Sequence, residues 1–289
     1  MSAPDAHRKF ADAVQTLDPT QLEAYNTIAD GAQQRYDWEL APVSDSACAL
    51  ALEFLLLGTA GIGKTHTAKT AITKVQQRFQ FFDAVLTLAF SGVAAANLGS
   101  GSRTIDSVFH RNTDDAAKDL TGDNLDRLVT ALRDVRLLVF DETSNVGAAQ
   151  FGIVGKRLQQ VGRVLWRERF RREQPDDLGA FGGVGVVLMG DFAQLPPVLS
   201  STLLGGAPLQ EGMKPNLRFL ALSGRRTFSQ FENALRLRHI HRQKGADPYK
   251  ESRMRLRDAK QQPTMTSGRR TLSTASTLPG GENTLKEAL

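Results

Sequence analysis

Apolar residues gather in short, nearly continuous runs at Leu52–Leu57, Ala84–Phe90, Arg136–Phe140 and Val184–Met189. A strand with one wet face alternates apolar and polar positions, and these runs do not, so they read as strands buried on both faces. Between them lie polar stretches of helical length: Thr65–Phe79, Val93–Leu98, Asn124–Arg133 and Gln150–Arg172. Strand alternating with helix predicts an α/β fold, a parallel sheet covered by helices on both faces. Ala234–Leu237 is a shorter fifth strand candidate. From about Gln261 the chain becomes polar and rich in Ser, Thr and Gly, with too little apolar content to fold alone. That segment is expected to be a disordered tail.

Composition narrows the class without naming it. The 289 residues are 41% hydrophobic and 23% charged, which excludes a wholly disordered or fibrous chain. The longest apolar stretch, Cys48–Leu57, is broken by Glu53 and is too short to span a membrane. No apolar leader follows Met1, and Cys48 has no second cysteine for a disulfide or a zinc site, so an intracellular protein is expected. Charge is uneven: residues 1–150 carry 13 basic and 19 acidic side chains, the remainder 23 and 12. A basic half suits a polyanionic partner such as nucleic acid, although a solvated arginine-rich surface produces the same balance.

Three segments carry chemistry. Gly58-Thr59-Ala60-Gly61-Ile62-Gly63-Lys64-Thr65 fits the phosphate-loop pattern, with a strand entering it and a helix starting inside it. Its glycines let several N–H groups converge on one anion at a helix N-terminus. Lys64 is suited to the β- and γ-phosphates of ATP, and the Thr65 hydroxyl to Mg²⁺. A second apolar run ends in Asp141-Glu142. Asp141 would hold Mg²⁺ through water and Glu142 would take a proton from the attacking water. An adjacent acid pair favours hydrolysis over transfer to a bound acceptor. A third run ends in Gly190-Asp191-Phe192-Ala193-Gln194-Leu195-Pro196-Pro197-Val198, where Gln194 could bond both the γ-phosphate and the attacking water.

Together these segments resemble the motor domain of superfamily-one DNA helicases of the Pif/RecD-like branch. Leu17-Asp-Pro-Thr-Gln21, with Ala24 and Tyr25, is similar to the family's glutamine motif, whose Gln contacts the adenine. The phosphate loop resembles motif I, Asp141-Glu142-Thr143-Ser144 motif II, and Gly190–Pro197 motif III. Ser91-Gly92 through Asn97, followed by Gly101 and Thr104-Ile105-Asp106-Ser107, resembles the segment that grips single-stranded DNA. The resemblance therefore assigns Ser91, Gly92, Thr104 and Ser107 to DNA binding. Leu235–Leu237 with His241-Arg242-Gln243 is similar to motif IV, whose arginine stabilises transition-state charge, a place taken here by Arg242.

The resemblance implies a RecA-like ATPase domain over residues 15–260, a flexible N-terminus over 1–14 and the tail over 261–289. It implies an ATP-dependent DNA helicase acting in DNA repair, recombination or telomere maintenance, nuclear or mitochondrial if eukaryotic. Asp106 stands where the family has His, and Asn145 where it has Met. Motifs V and VI are not found, so the expectation is a first motor domain completed by a second motor domain or partner chain. Ala221–Arg225 faintly resembles motif VI but precedes motif IV and carries an extra Gly, so it is set aside. Two alternatives stay open: a truncated, non-motor ATP- and DNA-binding module, and an AAA-like regulatory ATPase, against which Gln21 and the Gln194 segment speak. His239 and His241 lack further ligands for a metal. The seven basic residues of Lys156–Arg172 read as a solvated face, and Trp38 and Trp166 as core.

Overall fold

The computed structural model describes residues 3–42, 51–99, 101–109, 117–194, 196–197, 200–205, 208–209 and 211–239. Two helices open the chain, α1 (Ala3–Gln15) and α2 (Pro19–Leu40). Asp18 separates them as a helix cap: its carboxylate accepts from the N–H groups of Thr20 (2.8 Å) and Gln21 (3.0 Å). Gln21 Oε1 in turn accepts from the Asp18 N–H at 3.1 Å, and Pro19 opens the helix where its missing N–H costs nothing. There follow β1 (Glu53–Leu57), α3 (Lys64–Phe79), β2 (Val85–Ala89), α4 (Gly92–Leu98), β3 (Arg103–Thr104) and α5 (Ile105–Phe109). The remaining elements are α6 (Gly122–Leu132), β4 (Leu137–Asp141), α7 (Ala148–Phe170), β5 (Gly185–Gly190), α8 (Pro215–Phe228) and β6 (Asn233–Arg236).

The strands form one parallel sheet in the order β3-β2-β4-β5-β1-β6. Alternate residues of each strand face opposite layers, and both layers are apolar. Leu55, Leu57, Leu138, Phe140, Val186 and Leu188 pack under α5 to α8. Phe54, Leu56, Val139, Val187 and Met189 pack under α1 to α4. That is why the strands read as unbroken apolar runs. All five runs are strands within a residue or two, and the four helical stretches are α3, α4, α6 and α7.

The flexible N-terminus expected over residues 1–14 is corrected. Residues 3–15 are helical, because Phe10 and Val14 share a face that meets the core beneath α2. Phe10 lies 6.5 Å from the Tyr25 ring. Ala221–Arg225 is the interior of α8, which crosses α7 with almost no side chain between them. A Cβ on Gly152 would stand 2.1 Å from the Leu220 carbonyl, and one on Gly224 2.0 Å from that of Ala148. The tail over 261–289 and the motif IV residues His241, Arg242 and Gln243 lie outside the described residues.

The basic run Lys156–Arg172 is the second correction. Only Arg163, Arg167 and Arg171 are fully exposed. The Lys156 ammonium meets the Ala117 carbonyl, and Arg157 donates to that of Lys118 at 2.6 Å. Arg169 donates to Leu132 O (2.6 Å), and Arg172 to Trp38 O (2.8 Å) and Ala41 O (2.9 Å). These four are internal clamps rather than a solvated face. Trp38 and Trp166 are core, their rings 6.1 Å apart and joined by Phe170.

Candidate nucleotide site at the carboxyl edge of the sheet

In a parallel sheet every strand ends on the same edge, and loops leaving that edge converge where strand order reverses. The loops after β1, β4 and β5 meet there. Gly58 leaves β1 with φ +153°, and a Cβ on it would sit 1.8 Å from Ile62 Cδ1, so no other residue fits. Its N–H donates to the Gly190 carbonyl at 3.1 Å, which ties the loop to the end of β5. Gly63, left-handed at φ 88°, turns the chain into α3. Lys64 lies over the loop and donates to the carbonyls of Gly58 (2.6 Å) and Thr59 (3.0 Å). Gln21 braces the loop from behind: its Nε2 donates to the Ile62 carbonyl at 3.0 Å.

That position revises the expectation for Gln21. The side chain is 2% exposed, with its oxygen committed to Asp18 and its nitrogen to the loop. Gln21 sets the shape of the phosphate loop and does not stand open to a base.

At the end of β4, Asp141 accepts from the Glu142 N–H at 2.9 Å. Glu142 itself is left-handed (φ 54°, ψ 40°), a conformation that costs a non-glycine residue about 1 kcal/mol or more and aims its side chain out of the strand. Burial pushes the Asp141 carboxyl above the ordinary carboxylate range, while the Glu142 N–H and the charges of Lys64 and Lys69 pull the other way. A carboxylate held in that balance suits a cation. At the end of β5, Asp191 accepts from the Ala193 N–H (3.2 Å) and its carbonyl from the Gln194 N–H (3.0 Å). This turn sets Gln194 on the surface beside the loop.

Gly61, Gly63, Lys64, Thr65, Asp141, Glu142 and Gln194 all line one cleft of about 630 Å³, a volume suited to a nucleotide. Four further residues line it that the motifs did not single out: His66, Lys69, Ser144 and Asp191. A signal existed for Lys69, which stands four residues after Thr65 on the same face of α3. Thr65 and Asp141 are the residues able to hold a metal ion here.

The expected DNA segments lie two strands away on the same edge. Ser91 caps α4, accepting from the Ala94 N–H at 3.2 Å, and Gly92 is exposed beside it. Ser107 is tied to Thr104 by two bonds, its N–H to Thr104 Oγ1 (3.2 Å) and its hydroxyl to the Thr104 carbonyl (2.8 Å). β2 and β3 pair directly, so both segments stand side by side. Asp106, the departure from the family pattern, accepts from Gln150 Nε2 of α7 at 2.9 Å. Arg242, Leu195 and Val198 fall outside the described residues.

A phosphate loop after an interior parallel strand, with an acid pair ending another strand of the same sheet, defines a P-loop nucleoside-triphosphatase domain of RecA-like type. Within that class the chain belongs to the PIF1-like helicase family, whose family model matches residues 41–256. The ATP-dependent DNA helicase PIF1 of Candida albicans is 26% identical over 204 residues, covering 70% of this chain and 20% of that protein. The ATP-dependent DNA helicase RRM3 of Saccharomyces cerevisiae is 32% identical over 152 residues, 49% of this chain and 18% of that one. The crystal structure of the Candida albicans Pif1 helicase has the same fold, with a TM-score of 0.52 at 21% identity over 83% of this chain and 44% of that one. The chain thus spans about a fifth of these curated relatives. The family match decides against the AAA-like alternative.

Proposed function

We propose that this chain is the first motor domain of an ATP-dependent DNA helicase, hydrolysing ATP in response to single-stranded DNA. The observation that carries the reading is the convergence of Lys64, Asp141, Glu142 and Gln194 on one nucleotide-sized cleft. Lys64 leaves its loop carbonyls for the β- and γ-phosphates, which accept more strongly because they are charged. Glu142, aimed from its left-handed backbone, takes the proton of the attacking water, and Gln194 orients that water against the terminal phosphate. Thr65 and Asp141 would hold Mg²⁺, which when bound neutralises charge on the phosphates. Arg242 would add a further charge to the same transition state.

Single-stranded DNA would run across Ser91–Gly92 and Thr104–Ser107. The small Gly92 leaves the α4 N-terminus open to a phosphate, and exposed Phe90 and Val93 offer apolar contact to bases on either side. ATP turnover measured with and without single-stranded DNA tests the whole reading. Turnover should rise with DNA, and Lys64→Ala should lose nucleotide affinity. DNA binding should weaken steeply with salt and change little when Arg163, Arg167 and Arg171 are neutralised. Nucleotide binding unaffected by Lys64→Ala would overturn the site.

A further inference from the structure

We propose that His66 binds the nucleoside end of the nucleotide and couples its occupancy to helix α1, an inference that rests on the nucleotide site proposed above. His66 follows Lys64-Thr65 directly, is exposed, and lines the cleft. Its Nε2 lies 3.1 Å from Thr16 Oγ1, in the turn between α1 and α2. The Thr16 hydroxyl already donates to the Ala13 carbonyl at 2.7 Å. A hydroxyl has one proton, so toward His66 it can only accept, and Nε2 must carry the hydrogen. In the neutral ring Nδ1 is then an acceptor, on a residue that forms the cleft wall.

Direction within the cleft follows from the sheet. Glu142 and Gln194, which require the terminal phosphate, leave β4 and β5 on one side of the loop. The α1–α2 turn packs against the other side, where Gln21 holds Ile62 and Thr16 holds His66. A nucleotide with its terminal phosphate at the acid pair therefore extends its sugar and base toward His66. The groups there that can donate to Nδ1 are sugar hydroxyls and an exocyclic amine, not phosphate oxygens.

The same imidazole is a tether. α1 reaches the body of the protein through a few points: the Thr16–His66 bond, the Phe10–Tyr25 ring contact and the half-buried Val14. A ligand that fixes the His66 ring also fixes the acceptor end of α1, so occupancy should slow the opening of that helix.

Calorimetric titration of the 289-residue chain with ATP and, separately, with inorganic tripolyphosphate tests this. His66→Ala should weaken ATP binding about tenfold and tripolyphosphate binding less than about twofold, since only ATP carries the donors that Nδ1 accepts. His66→Asn, which keeps an amide donor and an acceptor, should recover most of the loss. Thr16→Val should weaken ATP about threefold and abolish the ATP-induced protection of α1 from hydrogen exchange that the parent shows. Unchanged ATP affinity in His66→Ala, an equal loss for tripolyphosphate, or no protection of α1 in the parent would each overturn the assignment. A parent chain that binds neither ligand would instead remove the nucleotide site itself, and a His66-specific failure leaves that site standing.

Discussion

The two edges of the sheet use the same side chains for opposite ends. At the amino edge, Arg172 donates to the last carbonyls of α2, and Arg35 donates to the Gly183 carbonyl at 2.9 Å. Arg136 grips Glu39 at 2.9 Å, and the Arg35 guanidinium lies 4.6 Å over Trp38 and 4.2 Å over Phe170. Burial, with the neighbouring Arg136 and Arg35 charges, pushes Arg169 down to about 9. At the carboxyl edge, Lys64 also donates to two carbonyls, but in an open cleft, on a flexible stem. A planar guanidinium between rings and carbonyls has nowhere to go, whereas an ammonium on exposed carbonyls can exchange them for a stronger acceptor. Bond count is similar at the two edges. What separates structure from function is whether the partner can be traded.

Three substitutions press on that contrast. Glu142→Gln at the open edge should lower ATP turnover by about 10²–10⁴ while leaving nucleotide affinity and thermal stability near those of the parent. Turnover equal to the parent would remove Glu142 as base. Arg172→Met at the closed edge keeps the stem between the rings but orphans two buried carbonyls. It should cost about 2–3 kcal/mol in urea unfolding and leave the ATP affinity of the folded protein alone. A stable Arg172→Met protein with impaired ATP binding would show that the edges are not separate. Thr143 sits fully buried behind the acid pair with no hydrogen-bond partner for its hydroxyl among the described residues. Thr143→Val should therefore raise stability by about 1 kcal/mol, a gain available because this edge tolerates an unmet polar group.

The open edge was legible in the sequence and the closed edge was not. Phosphate loop, acid pair and Gln194 are contiguous motifs at strand ends, where backbone geometry alone places the side chains. The clamp joins Arg35 to Gly183 and Arg172 to Trp38, partners far apart in the chain, and an arginine headed for a carbonyl looks like one headed for water. So Lys156–Arg172 read as a solvated face. The α1 helix escaped because Phe10 and Val14 are too few to mark an apolar stripe without the core they meet. The reading of Gln21 failed on the same ground: its capping bond to Asp18 was written in the sequence, but its bond to Ile62, 41 positions on, was not.

The smallest expected effect separates the edges by what answers a raised carboxyl. Glu53 opens β1 at the amino edge, one residue before the Phe54–Asn233 pairing, and so stands level with Glu232. Burial first, then the Glu232 charge, pushes Glu53 up from 4.5 to about 7. The native state therefore holds this proton more firmly than the unfolded chain does. Below about 4.5 both states are protonated and its contribution is complete; between 4.5 and 7 the unfolded chain releases the proton first, and stability falls as pH rises. Because the side chain is partly in water, the loss should be about 1 kcal/mol rather than the full linkage value. Asp141, raised in the same direction, adds a fall of the same sign at the carboxyl edge. Nucleotide with a divalent cation should erase the Asp141 share and leave that of Glu53, whose neighbour is another carboxylate. Urea unfolding from pH 5 to pH 8 in the parent, in Glu53→Gln and in the presence of nucleotide resolves the two. An identical pH slope in the parent and Glu53→Gln would mean that Glu53 and Glu232 do not share a field, and that the amino edge is held by its arginines without opposition.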